Sequence, residues 1–174
     1  HKLLVMHYCF RAGLYRQGLL HDLSKYSPVE FLVGCKYYQG DRSPNNAERE
    51  DTGLSKSWLH HKGRNRHHFE YWIDYGQEPG SAMQGMKMPV KYVVEMFCDR
   101  VAACKTYYKE NYNDSMPFEY FNKNRKHYMM HPETMELLGK MLIMLKRYGE
   151  EDTLVYIRER ILTGRYPKKT AVKS

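Results

Sequence analysis

No apolar run in this chain approaches the roughly 20 residues that span a bilayer, and its mean hydropathy is −0.76. That argues against a membrane-spanning helix, and no membrane partner is expected. Cysteine is scarce, with four in 174 residues. They are Cys9, Cys35, Cys98 and Cys104, and none stands in a Cys-x-x-Cys pair. A Cys-based zinc site or a disulfide framework is therefore not expected. The four read as reduced core residues of a cytoplasmic protein. Strand-like alternation, internal repeats and low-complexity segments are also missing, which argues against sandwich and solenoid architectures. No signal-peptide pattern marks the start. The opening His1-Lys-Leu-Leu has no Met, so further residues are expected upstream. Acidic residues are outnumbered, 20 against 28 basic, giving a net charge of +8 and a pI near 9.2. A basic surface favours phosphate-bearing partners, whether nucleotides, nucleic acid or anionic metabolites.

What is present is enough for one helical domain. Hydrophobic residues make up 42% of the chain, which supports a folded core rather than disorder. The expected architecture is all-α, a compact helical bundle over 1–174 with any metal site within 1–105. His1 to Leu20 reads as a buried helix broken near Gly13 or Gly18, followed by a second helix that carries His21-Asp22. Ser27-Pro28 fits an N-cap and first helical position, with helix over Val29 to Tyr38. Gln39 to Gly53 reads as a long polar loop with a short helical turn at Ala47–Glu50. Ser55 to Tyr75 reads as helical, interrupted near Gly63–Asn65, and Gly76 to Pro89 as another loop. Val90 to Tyr108 is the clearest helix. Val90, Val93, Phe97, Val101, Cys104 and Tyr108 share one face, and Met96, Ala102 and Ala103 line the other. Later helices are expected within 117–163: Pro117 to Phe121, Pro132 to Tyr148, and Asp152 to Leu162 between Asp152 and Gly164 as caps. A basic tail over 166–174 is expected to fray.

Histidine is abundant, at nine residues, and five of the nine fall in two dense clusters, His21-Asp22 and His60-His61-x5-His67-His68. Asp22 follows the apolar run Gly18-Leu-Leu, and a carboxylate buried there needs a partner. A metal ion is one such partner, because imidazole and carboxylate together suit Mn, Fe, Zn, Co or Ni. A capping Asp beside a satisfied core histidine is the other reading of the dipeptide. Asp99 raises the same question on a helix apolar on both sides, with a salt bridge as its alternative. His61 and His68 would stand about 10 Å apart on a continuous helix. That is too far for one ion, so a break at Gly63 is needed for both to ligate. Lys62, Arg64 and Arg66 beside them suit a phosphate group.

The segment Gly18-Leu-Leu-His-Asp-Leu-Ser-Lys25 resembles the signature of the HD superfamily: an apolar run, His-Asp, and a Lys three positions on. His1-Lys-Leu-Leu-Val5 matches the family's early ligand and following apolar residue, with His7 as a competitor. Phe97-Cys-Asp-Arg-Val101 matches its last ligand. The resemblance implies an all-helical metal-dependent fold with His1, His21, Asp22 and Asp99 holding one divalent transition metal. Family members with two metals add intervening histidines, here His61 and His68. Most members are phosphohydrolases. That implies catalytic roles for Asp22, Lys25 and Arg64, and contacts from Lys25, Lys62, Arg64 and His67 to a small phosphorylated or nucleotide substrate. A minority are di-iron oxygenases, and a non-catalytic nucleotide- or nucleic-acid-binding module is a third reading. The run Trp58 to Trp72, taken with Leu20 to Pro28, is also similar to a family of uncharacterised bacterial and phage proteins, a domain of unknown function.

Overall fold

The computed structural model describes residues 1–40 and 42–165; the expected fraying tail lies outside them. The fold is all-α, as expected, apart from one small hairpin. The long helix α6 (Val90–Tyr108) runs through its centre with the predicted ends. Around it pack α1 (Lys2–Arg11), α7 (Met116–Asn124) and α8 (Pro132–Tyr156). Val93, Phe97 and Val101 of α6 meet Val5 and Cys9 of α1 and Leu138, Met141, Leu142 and Leu145 of α8 in one core. Each such side chain, fully buried, stabilises the fold by about 1.5–3 kcal/mol. The bundle's stability therefore rests mainly on α1, α6 and α8. A second layer, α3 (Pro28–Tyr37), α4 (Pro44–Thr52) and α5 (Lys56–Lys62), leans on the bundle, with α3 packed against α4 and α5.

Several boundaries differ from expectation, each for a local reason. The first segment breaks at Gly13, where φ is +87°, and not at Gly18. A Cβ on Gly18 would stand 3.0 Å from Cys9 and Phe10 side-chain atoms, so that glycine lets α2 (Tyr15–Leu20) press against α1. Leu3, Leu19 and Leu20 are exposed, so the first segment is not buried throughout. The expected helix through His21-Asp22 does not form. His21 ends α2 in an extended conformation and Asp22 turns left-handed at φ +54°, followed by a 3-10 turn over Leu23–Tyr26.

The expected loop over 39–53 contains α4, which starts at Ser43-Pro44 and stops at Gly53 in the left-handed region. It is polar because Ala47 and Glu48 are its only buried residues, so it carries little apolar periodicity. After α5 the chain breaks as predicted at Gly63. The second half of the expected helix is instead a 3-10 turn, Phe69–Trp72, and strand β1 (Ile73–Tyr75), antiparallel to β2 (Met83–Gly85). Three-residue strands are too short to show alternation. The last two expected helices form one run, kinked at Gly149 with φ +77°, and Asp152 lies inside it rather than at its start. A π-helical turn, Ile157–Ile161, follows, and Gly164 reverses the chain at φ +73°. Cys9, Cys98 and Cys104 are buried, but Cys35 is exposed and is no core residue.

Candidate metal centre

Four parts of the chain deliver the site. His1 caps the start of α1. His21 and Asp22 come from the turn after α2. His60 and His61 end α5, and Asn65 folds the following turn by donating to the His61 carbonyl at 2.8 Å. That turn brings back His67 and His68. Glu95 and Asp99 stand one turn apart on the same face of α6, and His21, Asp22, His61, His67 and Glu95 are all buried.

Two carboxylates set the histidine tautomers. Glu95 Oε1 accepts from His21 Nδ1 at 3.1 Å and from His67 Nδ1 at 3.2 Å. Glu30 Oε1 accepts from His60 Nδ1 at 2.6 Å, and Oε2 from His61 Nδ1 at 2.7 Å. With the proton held on Nδ1, the Nε2 lone pairs of His21, His61 and His67 turn inward, the usual arrangement around a metal ion. His61 Nε2 and His67 Nε2 stand 3.3 and 3.4 Å from Asp22 Oδ1. His68 Nε2 is 2.9 Å from His61 Nε2. On the other side, His21 Nε2 is 3.4 Å from Asp22 Oδ2 and 3.6 Å from Asp99 Oδ1. His1 Nε2 lies 2.9 Å from Asp99 Oδ1.

These separations test the fit of an ion. Two ligands each about 2.1 Å from one ion stand about 3.0–3.4 Å apart at octahedral to tetrahedral angles. The observed spacing matches, whereas most of it is long for hydrogen bonds. His21 Nε2, Asp22 Oδ1 and His67 Nε2 are buried without a hydrogen-bond partner, a costly state unless a further group satisfies them. Besides the group of His21, His67 and Glu95, two donor sets emerge, each with ligand atoms within 4.8 Å of one another: His1, His21 and Asp99, and Asp22, His61, His67 and His68. Asp22 offers one oxygen toward each set.

The electrostatics carry the same demand. Burial works to raise Asp22 and Asp99, but His21 and the other nearby cationic groups outweigh it and hold both carboxyls well below their usual range. Burial disfavours a charged His21, yet Asp99, Glu95 and Asp22 together push it up to about 10. Burial keeps His61 and His68 below the ordinary imidazole value. Without an ion, the cluster thus draws a proton to His21 in place of a cation.

The six residues expected to bind metal, His1, His21, Asp22, His61, His68 and Asp99, converge here. His67, expected to contact substrate, lies among the same donors. His7 is exposed against Tyr8 and joins none of the donor groups, whereas His1 joins one. Lys25 reaches the site, with Nζ 2.6 Å from Asp22 Oδ2. Arg64 is exposed and donates back to the His60 carbonyl at 3.4 Å. Lys62 acts electrostatically on Glu70, whose carboxyl burial raises and the Lys62 charge partly lowers. Glu30 and Glu95 escaped the sequence reading. Their signals were a lone acid in an apolar helix and an acid four residues before Asp99. A cavity of about 1040 Å³ lies between the hairpin and Met129–Pro132, and no cluster residue lines it.

No curated protein and no solved structure matches the chain. A family model does match, over residues 1–144. The chain that builds this centre belongs to a family of unknown function, DUF5662.

Proposed function

We propose that the chain is an HD-type, metal-dependent phosphohydrolase acting on a nucleotide or another phosphate ester. His1, His21, Asp99 and Asp22 would hold one divalent Mn, Fe, Zn, Co or Ni ion, and Asp22, His61, His67 and His68 a second. The observation that carries this reading is the convergence of buried acceptor atoms with no partner: His21 Nε2, Asp22 Oδ1 and His67 Nε2. A bound ion supplies a water of lowered pKa and polarises a phosphoryl oxygen.

The chain's own residues do the rest. Glu30 and Glu95 keep the imidazoles in one tautomer and one orientation. Asp22 stands between the two donor sets, with one oxygen toward each. The half-exposed Lys25 ammonium, anchored on Asp22, offsets charge on a phosphate at the rim. Glu95, Asp99, Ala103 and Tyr107 follow one another at four-residue spacing on α6, a stripe from the buried centre to an exposed ring. Tyr107 feels both Lys25 and Asp99 electrostatically, so it stands near the mouth and suits contact with the rest of the substrate. The net charge of +8 attracts an anionic substrate. Four cysteines without a disulfide suit a reducing, cytoplasmic setting, and no described helix is long and apolar enough to cross a membrane.

Elemental analysis of purified protein, followed by a nucleotide and cyclic-dinucleotide panel with each ion, tests the reading. Expected are bound metal and phosphate release, both abolished in Asp99→Ala. No turnover with any of the ions would overturn it. A di-iron oxygenase is the second reading, favoured by the Asp22 carboxylate facing two histidine-rich sets. It requires iron and a visible absorption band in aerobically purified protein.

A further inference from the structure

Helix α3 is inside out. Its buried side presents Glu30, which reaches in to His60 and His61. Its outward side presents Val29, Phe31, Leu32 and Cys35, with Tyr38 just past its end, all exposed. At about 100° per residue these side chains fill about half the helix circumference, and Lys36 is the one charge among them. A surface helix ordinarily turns its apolar stripe inward. The 3-10 turn that leads into α3 extends the apolar surface with Leu23 and Tyr26. Leu32 and Tyr26 are each 66% exposed and Phe31 53%. Leu23, Tyr26, Val29, Phe31, Leu32 and Tyr38 together expose on the order of 800 Å². The largest apolar patch of a monomeric protein is ordinarily about 300–600 Å².

We propose that this face docks a second copy of the chain, with two α3 helices meeting about a two-fold axis. Area is the first argument, because about 800 Å² is what each partner contributes to a standard interface. Charge is the second. A chain of +8 can face itself where most of its cations are neutralised; Lys25 is paired with Asp22 at 2.6 Å, and Lys2 lies over the Tyr26 ring at 5.0 Å. Lys36 is paired within its own chain, to Asp51 at 3.7 Å and to the Tyr37 hydroxyl at 2.9 Å. Arg42 nearby in sequence is paired with Glu50 at 2.9 Å. A nucleic acid or anionic membrane would instead be met by free cations. An apolar, charge-balanced face meeting its own copy is the arrangement of an isologous dimer. The inference stands apart from the proposed chemistry, since it uses the outer side of α3 and no metal.

Sedimentation of the full chain over a concentration series tests it. The wild-type chain is expected to be a dimer, and Leu32→Asp and Phe31→Glu monomers with unchanged circular dichroism. Met83→Asp, the same kind of change on the exposed hairpin, is expected to leave the dimer intact. Cys35 gives a second readout, because it is the exposed thiol of the four. Its reaction with a thiol reagent should be slow in concentrated protein and faster on dilution. A monomeric wild-type chain at every concentration overturns the proposal, as does a dimer that survives Leu32→Asp. Flotation of the wild-type chain with phosphatidylserine vesicles, lost in Leu32→Asp, would assign the face to a membrane and also overturn it.

Discussion

Asp22 carries two burdens in one residue. Its φ of +54° is a conformation that Asp and Asn tolerate far better than most residues. Its carboxylate also faces His21, His61, His67 and Lys25. The two roles separate by substitution. Asp22→Asn keeps the turn and loses the charge, so metal content should fall sharply and the metal-free protein should lose only the stability that the carboxylate's ion pairs contribute. Asp22→Ala should lose metal and destabilise the metal-free protein by about 1 kcal/mol more than Asp22→Asn does, since Ala resists the left-handed turn. Elemental analysis and thermal melts of both variants check this. His21 predicts a pH effect. In metal-free protein its value is raised from 6.5 to about 10. The stability it contributes is therefore fully present below about pH 6.5 and lost as pH rises through about 10. Asp22 and Asp99 are lowered, so their contribution is lost only in acid. Melts of chelated protein should fall from pH 7 to 10, and melts of metal-loaded protein should fall less, because an ion takes the place of that proton. The residues that converge at the candidate centre were legible in the sequence because imidazole and carboxylate are rare in apolar settings. The conformation of Asp22 was not, because a left-handed turn inside an apolar run has no compositional mark when the residue is not glycine.

Among the elements, α6 was legible to its ends because it is long and buried on both sides. The polar α4 and the three-residue strands were not, since neither needs apolar periodicity. What the sequence concealed most fully is the pairing between elements: Glu30 on α3 with two histidines at the end of α5, and Glu95 on α6 with histidines from two turns. Those pairs are set by packing, and the four-residue step from Glu95 to Asp99 says nothing of which histidines Glu95 meets. Removing one partner tests them. Glu30→Gln and Glu95→Gln should each weaken metal affinity 10- to 100-fold, measured by competition with a chromophoric chelator, with circular dichroism unchanged. The hairpin makes a separate prediction. A Cβ on Gly85 would lie 2.6–2.7 Å from backbone atoms of Met129, Met130 and His131. Backbone does not yield as a flexible side chain does, so Gly85→Ala should destabilise by about 1–3 kcal/mol, read from denaturant midpoints.

For the molecule as a whole, the site joins two layers of unequal strength. The bundle of α1, α6 and α8 holds the large buried side chains. The outer layer of α3, α4 and α5 holds few; a polar joint of Glu48 with Ser55 and Ser57 ties α4 to α5 within it, and the histidine cluster connects it to Glu95 and Asp22. Chelation should therefore raise hydrogen exchange over residues 21–37 and 56–68 well before it affects α8. Uniform loosening of the chain would contradict that division.

Asp22 also has a consequence for stoichiometry. Its two oxygens belong to one delocalised carboxylate, one oxygen toward each donor set. An ion on one side withdraws electron density from the oxygen that serves the other and repels a second cation across the shared group. By thermodynamic linkage the penalty is mutual. The two sets should therefore fill as a tight step and a weaker one in a calorimetric titration, and losing the carboxylate's charge would remove the mutual penalty between them.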